Sequence, residues 1–234
     1  MSTETSDDAV VEDQDAAGAA HAGADPAELE IDLDAPTEHQ VAGGAGRGLS
    51  LLLVIGGAIG FVASFVLMLE RIELFKDPNY VPTCSFNPVL SCGSVMETWQ
   101  AQVFGFPNPL VGIASFAALT AVGLALLTGA VVPRWYWLGT QAGTLFGIGF
   151  VTWLTYQSLY AIEALCPYCM VVWAVTIPIF IWVTVHNVQA GHIPARTGVR
   201  NALVRNKAPI LLVWYAAVAV LILVKFWEYW ASLV

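Results

Sequence analysis

Five long apolar runs dominate the pattern of this chain: residues 49–69, 109–130, 135–160, 166–186 and 209–230. Each is long enough for a helix that crosses a bilayer, which takes about 20 mostly apolar residues. The first passes from Leu49 to Leu69 without a charge. The third opens on Trp135, Tyr136 and Trp137, and the fifth closes on Phe226, Trp227, Tyr229 and Trp230. Aromatic residues at those places suit the membrane–water interface, where Lys225 and Glu228 can also snorkel. The pattern predicts an all-α membrane protein with five transmembrane helices. Between the first two runs, Val95, Trp99, Val103 and Phe106 recur at helical spacing. They predict a short amphipathic helix lying on the membrane as a cap, or else a plain connector.

Glycine spacing refines the helices. Gly56 and Gly60 form G-x-x-x-G in the first run, and Gly139, Gly143 and Gly147 recur every fourth residue in the third. Both stripes predict close helix approach within one bundle, because small residues let backbones meet in lipid. No long internal repeat is present.

Composition changes the picture mainly at the N-terminus. The 234 residues are 57% hydrophobic and 12% charged, about half the charged share of soluble domains. Their mean hydropathy is +0.68. The net charge of −9 belongs to one end: twelve of 18 acids precede residue 40, and no Lys or Arg precedes Arg47. Residues 1–46 are rich in Ala, Gly, Asp and Glu without an aromatic, which predicts a disordered acidic tail, a solvated spacer. Its start has neither the basic region nor the apolar core of a cleavable signal peptide. This gives three segments: tail 1–46, a four-helix core 47–186 with loop 70–108, and a basic loop with the fifth helix over 187–234.

Basic residues orient the spans. Arg47, Arg134, Arg196, Arg200, Arg205 and Lys207 fall in the segments of one side, and the outer loop 70–108 holds only Arg71 and Lys76. The N-terminus is expected in the cytoplasm of a cell with this plasma (inner) membrane. Loop 70–108 and residues 161–165 then lie outside, together with all four cysteines, in an oxidising compartment.

Those cysteines carry the chemistry. Cys166 and Cys169 form C-x-x-C at the mouth of the fourth run, with Pro167 at a first helical position. A helix N-terminus favours thiolate, the form that attacks disulfides. Cys169 is expected to face the bilayer side. Cys84 and Cys92 are spaced C-x7-C in a loop broken by Pro82 and Pro88. That arc can close on itself or let Cys92 swing to another partner. Four readings stand beside one another: two inert disulfides, a zinc site, an iron–sulfur site and a redox relay. Zinc prefers tighter spacing than C-x7-C, and a cluster lacks further ligands. His21 and His39 lie in the tail and His186 and His192 near the cytoplasmic loop, away from any haem position.

C-x7-C in the first outer loop, the stretch Phe104-Gly105-Phe106-Pro107-Asn108-Pro109-Leu110-Val111-Gly112, and C-x-x-C opening a span combine in one order. Over residues 49–186 the chain resembles the vitamin K epoxide reductase family. The resemblance implies a four-helix core bundle around a quinone site, with menaquinone or ubiquinone as cofactor. It looks like a stand-alone bacterial member that oxidises an extracytoplasmic thioredoxin-fold dithiol protein of DsbA type. Carried over residue by residue, Cys166 and Cys169 match the active-site pair, with Cys169 nearest the quinone. Cys84 and Cys92 match the shuttle pair, Cys84 meeting the partner and Cys92 exchanging with Cys166. Asn108 matches an amide donor to a quinone carbonyl; the alternative is a cap at the start of the second run, before Pro109. Trp173 stands where animal members have Tyr, and its indole N–H can donate to the quinone. Glu163, three residues before Cys166, is either a proton acceptor or an interfacial charge.

The expected function is a membrane thiol oxidoreductase supporting disulfide formation, its partners the dithiol protein, membrane quinone and the lipid bilayer, with no nucleic acid. The alternative is a non-catalytic membrane scaffold whose disulfides are structural. A carrier is disfavoured, since no charge lies mid-span.

Overall fold

The computed structural model describes residues 35–231. Most of the expected acidic tail, residues 1–34, lies outside them. The described helices are α1 (Glu38–Val41), α2 (Arg47–Lys76), α3 (Cys92–Met96), α4 (Pro109–Leu127), α5 (Arg134–Gln157), α6 (Pro167–Gln189), α7 (Thr197–Lys225) and α8 (Trp227–Ala231). A π turn, Ser158–Ile162, prolongs α5, and a 3-10 turn, Trp99–Gln102, follows α3. Helices α2, α4, α5 with its π turn, α6 and α7 are long and apolar enough to cross a membrane. The chain is an all-α multi-pass membrane protein, as the hydropathy pattern predicts.

The described residues include the last part of the expected tail. Residues 37–46 belong by composition to the tail, yet Thr37 and Gln40 form a capping box on α1. Beyond it, the Gly43 carbonyl accepts hydrogen bonds from Trp137 Nε1 (2.9 Å) and Val132 N (3.2 Å). Gly43 has φ +103°, and the Val132 carbonyl occupies the space a Cβ would need. A buried indole in want of an acceptor thus draws the tail's last residues onto the bundle.

The first span is also longer than its apolar run. Helix α2 has 30 residues, or about 45 Å, and carries Glu70 and Arg71 buried within it. The loop it enters is therefore 77–108. Both charges are matched by that loop. The Glu70 carboxylate accepts from Tyr80 Oη (3.0 Å), from Thr83 N (3.2 Å) and from the Thr83 hydroxyl. Arg71 donates to the Met96 carbonyl and lies over the Phe75 ring. The amphipathic helix expected over 95–106 is not continuous. Thr98 is extended (φ −80°, ψ 156°) between α3 and the 3-10 turn, and Gly105 turns with φ +79°. Its aromatic residues pack on α5 instead: Trp99 lies 6.0 Å from Trp153 and Phe104 lies 5.4 Å from Phe150, centroid to centroid.

Helix α2 packs on α4 and α6, α5 packs on α6, and α7 joins α6 from outside. Helices α4 and α5 are not a closely packed pair. Gly57 and Gly60 of α2 lie directly beneath Thr120 and Phe116 of α4, and Gly56 faces Ile179 of α6. On α4, a Cβ at Gly123 would sit 2.8 Å from Val54 N and 2.9 Å from Leu53 Cβ. The first glycine-bearing face does bring backbones together, at Gly57 (a Cβ there would lie 3.0 Å from Thr120 N), while Gly56 and Gly60 themselves meet the side chains of Ile179 and Phe116. The second stripe brings none together: Gly139 and Gly143 face open space, and Gly147 has only Thr176 nearby at 3.7 Å. That stripe lines the gap which the missing α4–α5 contact leaves.

Candidate redox site

The site is assembled by backbone before side chains. Asn87 Oδ1 accepts from Val89 N (3.0 Å) and Leu90 N (2.7 Å), folding the arc between Cys84 and Cys92 into a tight turn. The turn then pairs with the residues preceding the C-x-x-C. Leu165 N donates to Val89 O (2.7 Å) and Ser91 N to Leu165 O (2.9 Å), a single parallel bridge between Leu90 and Leu165. Ser91 caps α3, whose first residue is Cys92. Cys166 caps α6, with Pro167 at the first helical position as its sequence implies. Two helix starts are thereby set side by side, each bearing a cysteine.

Cys84 and Cys92 are joined in a disulfide, and Cys166 and Cys169 are free thiols. Cys92 Sγ lies 3.3 Å from Cys166 Sγ across 74 residues of sequence. Both are fully buried, and Cys84 is 3% exposed. With Cys84 and Cys92 bonded to each other, the four sulfurs do not form a tetrahedral metal set; among the described residues no group of three or more His, Cys, Asp or Glu does so either.

The C-x-x-C pair divides its work. Cys166 faces Cys92. Its sulfur also accepts from Cys169 N at 3.4 Å. The hydrogen bond from the Cys169 thiol holds the Cys166 thiol below the ordinary thiol range; burial opposes this, and the backbone N–H groups of Cys169 and Tyr168 add to it. Cys169 instead lines a cavity of about 490 Å³, within the size range of small-molecule sites. Trp173, Asn108, Gln100 and Ser158 line it too, as do Leu119 and Gly139, Gly143 and Gly147 of α5.

Asn108 takes neither a cap's role nor a free one. Its Oδ1 accepts from Val103 N (3.2 Å), and its Nδ2 donates to Gln100 O (2.7 Å). An amide nitrogen has a second N–H, and the residue borders the cavity. Trp173 is 5% exposed and packs with Leu165 and Val89, so it joins the cavity wall to the bridge. Glu163 is left-handed (φ +57°) and ion-paired to Lys225 at 2.6 Å. Sequence reasoning missed the Leu90–Leu165 bridge, Gln100, and the Glu70 and Arg71 anchors. Polar residues flanking an apolar run were the only signal for the anchors, and backbone pairing of two residues leaves none.

No curated protein matches the chain. The model of the Vitamin K epoxide reductase family matches residues 51–184, more than half of the chain. The matched stretch contains all four cysteines, the bridge and every cavity-forming helix. With a disulfide and a dithiol in sulfur contact inside a membrane bundle, the chain belongs to the vitamin K epoxide reductase family of membrane disulfide oxidoreductases.

Proposed function

We propose that the protein oxidises an extracytoplasmic thioredoxin-fold dithiol protein of DsbA type and delivers the electrons to membrane quinone. The observation that carries this reading is the 3.3 Å approach of Cys92 to Cys166 while Cys169 borders the cavity. A thiolate of the partner attacks Cys84 Sγ and displaces Cys92; the partner's second thiolate then releases Cys84, and the partner leaves as a disulfide. Cys92 thiolate attacks Cys166 Sγ in a Cys166–Cys169 disulfide, and the electron pair leaves on Cys169. Cys84 thiolate attacks Cys92 and frees Cys166, which restores Cys84–Cys92. Quinone bound in the cavity supplies the two-electron, two-proton sink that re-forms Cys166–Cys169. Asn108 and Trp173 would hold its ring end, the amide N–H stabilising charge on a carbonyl oxygen. The slot between α4 and α5, with its glycine wall, suits an apolar tail. In the bilayer, the excess of Lys and Arg at the opposite end of the bundle supports a cytoplasmic N-terminus and extracytoplasmic cysteines.

The test is quinone reduction in detergent by a reduced thioredoxin-fold substrate. Wild-type chain is expected to turn over and Cys169→Ala to stop; retained turnover in Cys169→Ala rules the scheme out. The burial of Cys84 favours a second reading, a scaffold stapled by its disulfide. Thiol trapping under a mild reductant separates them: a staple resists, whereas a relay yields mixed disulfides at Cys84 in a Cys92→Ala chain.

A further inference from the structure

The matched family stretch ends at residue 184, and α7 lies wholly beyond it. Along its length α7 buries no side chain. Its end behaves differently. Phe226, the next residue, is 7% exposed and packs in one cluster with Leu165, Val89 and Trp173. Lys225 Nζ lies 2.6 Å from Glu163 Oε1 and 5.7 Å from the centre of the Tyr160 ring. Among the described residues, Glu163 alone is non-glycine with positive φ. Such a conformation persists only where the surroundings hold it.

Two of these contacts, the Lys225–Glu163 ion pair and the packing of Phe226 in the cluster that holds Leu165, bear on one strip, Glu163-Ala164-Leu165. The strip runs directly into Cys166 and is bridged by its backbone to Val89 and Ser91, hence to Cys92. Whatever fixes the strip therefore fixes both sulfurs. We propose that the fifth helix is a clamp on the sulfur relay: Phe226 and Lys225 are positioning residues that hold strip 163–165 in the register where Cys92 and Cys166 meet. The inference rests on the reading that those two sulfurs exchange. The step it serves is attack of Cys92 thiolate on Cys166 Sγ, in which the 92–166 bond forms, the 166–169 bond breaks and the electron pair departs on Cys169. Displacements of about 1 Å can slow such aligned reactions by two orders of magnitude, so a clamp outside the four-helix core has leverage on rate.

The experiment uses the full chain with Cys84→Ser and Cys169→Ser, which leaves Cys92 and Cys166 as its only thiols. Diamide is added; the two thiols give it two electrons and two protons, it becomes the hydrazine, and closure of the 92–166 disulfide is followed by alkylation and gel shift. Phe226→Ala in this background is expected to close about tenfold more slowly, a loss of roughly 1.4 kcal/mol in alignment, measured well below the thermal midpoint, which loss of a buried ring lowers; Phe226→Leu should recover most of the rate. Lys225→Glu should slow closure about threefold, in the range of a partly exposed ion pair, and adding Glu163→Lys should restore it. An unslowed Phe226→Ala that is folded at the assay temperature overturns the clamp while leaving the relay intact. If Phe226→Ala does not accumulate as folded protein, the charge swap decides, and a double variant as slow as Lys225→Glu alone overturns the clamp. A parent that never closes removes the relay and the clamp together.

Discussion

Cys166 and Cys169 are three residues apart, yet they face different surroundings. Cys166, just before its span, is held below the ordinary thiol range chiefly by the Cys169 thiol, so thiolate is present at lower pH than for a free cysteine. Removing that donor must shift the titration upward and lower the thiolate fraction at neutral pH. In a chain that keeps the Cys84–Cys92 disulfide, thiolate ultraviolet absorbance against pH should therefore rise later for Cys169→Ala than for wild type; superimposable curves would refute the coupling. Asn108 is the second residue to test. Asn108→Asp keeps the acceptor for Val103 N but loses both amide N–H groups. If the amide serves the quinone, quinone reduction falls about 10²–10³-fold while 92–166 closure stays unchanged; full turnover in Asn108→Asp ends that role. At this scale the cysteines were legible as the seat of the chemistry, since C-x7-C in a proline-broken arc and a C-x-x-C at a helix mouth each carry local chemistry, but which sulfurs pair and which exchange came only from the family resemblance. Glu70 and Arg71 were not, because a charge pair after an apolar run reads as the end of a span. Only the loop that folds back over α2 supplies the partners that let the charges stay buried.

Helices show the same limit in their glycines. Both stripes have four-residue spacing, but that of α2 meets neighbouring side chains, with backbone contact at the adjacent Gly57, whereas that of α5 borders a cavity. A missing side chain serves close packing and open space equally, so spacing alone cannot distinguish them. Two substitutions can. Gly123→Leu drives atoms into Val54 and Leu53 and should cost at least the 1–3 kcal/mol, roughly, of overpacking, read as a lowered thermal midpoint in detergent. Gly143→Leu has room and should leave the midpoint within about 0.5 kcal/mol of wild type, while raising the quinone KM severalfold by filling the slot. A Gly143→Leu protein with unaltered quinone kinetics would show that the slot is not where the acceptor sits. The connector was the least legible element. Val95, Trp99, Val103 and Phe106 do keep helical spacing, but extended Thr98 and left-handed Gly105 break the helix and turn the aromatics onto α5.

For the whole molecule, the five spans were legible because hydropathy over some 20 residues is a property of the run itself. Their pairing was not, because lipid-facing and helix-facing positions are equally apolar. The proposed orientation follows from Lys and Arg placement, and it predicts that a membrane-impermeant thiol reagent applied to intact spheroplasts labels a single-cysteine probe at Ser94 but not one at Arg196. The reverse pattern inverts the bundle and takes the sulfurs out of the oxidising compartment. A last consequence comes from the redox state of the four cysteines, with Cys84–Cys92 closed and Cys166 and Cys169 reduced. Such a chain already holds one disulfide, a two-electron oxidant, in the pair proposed to meet its client. Stripped of acceptor, it should still convert a single client molecule per chain in a rapid burst and then fall silent, like a loaded spring with no one to rewind it.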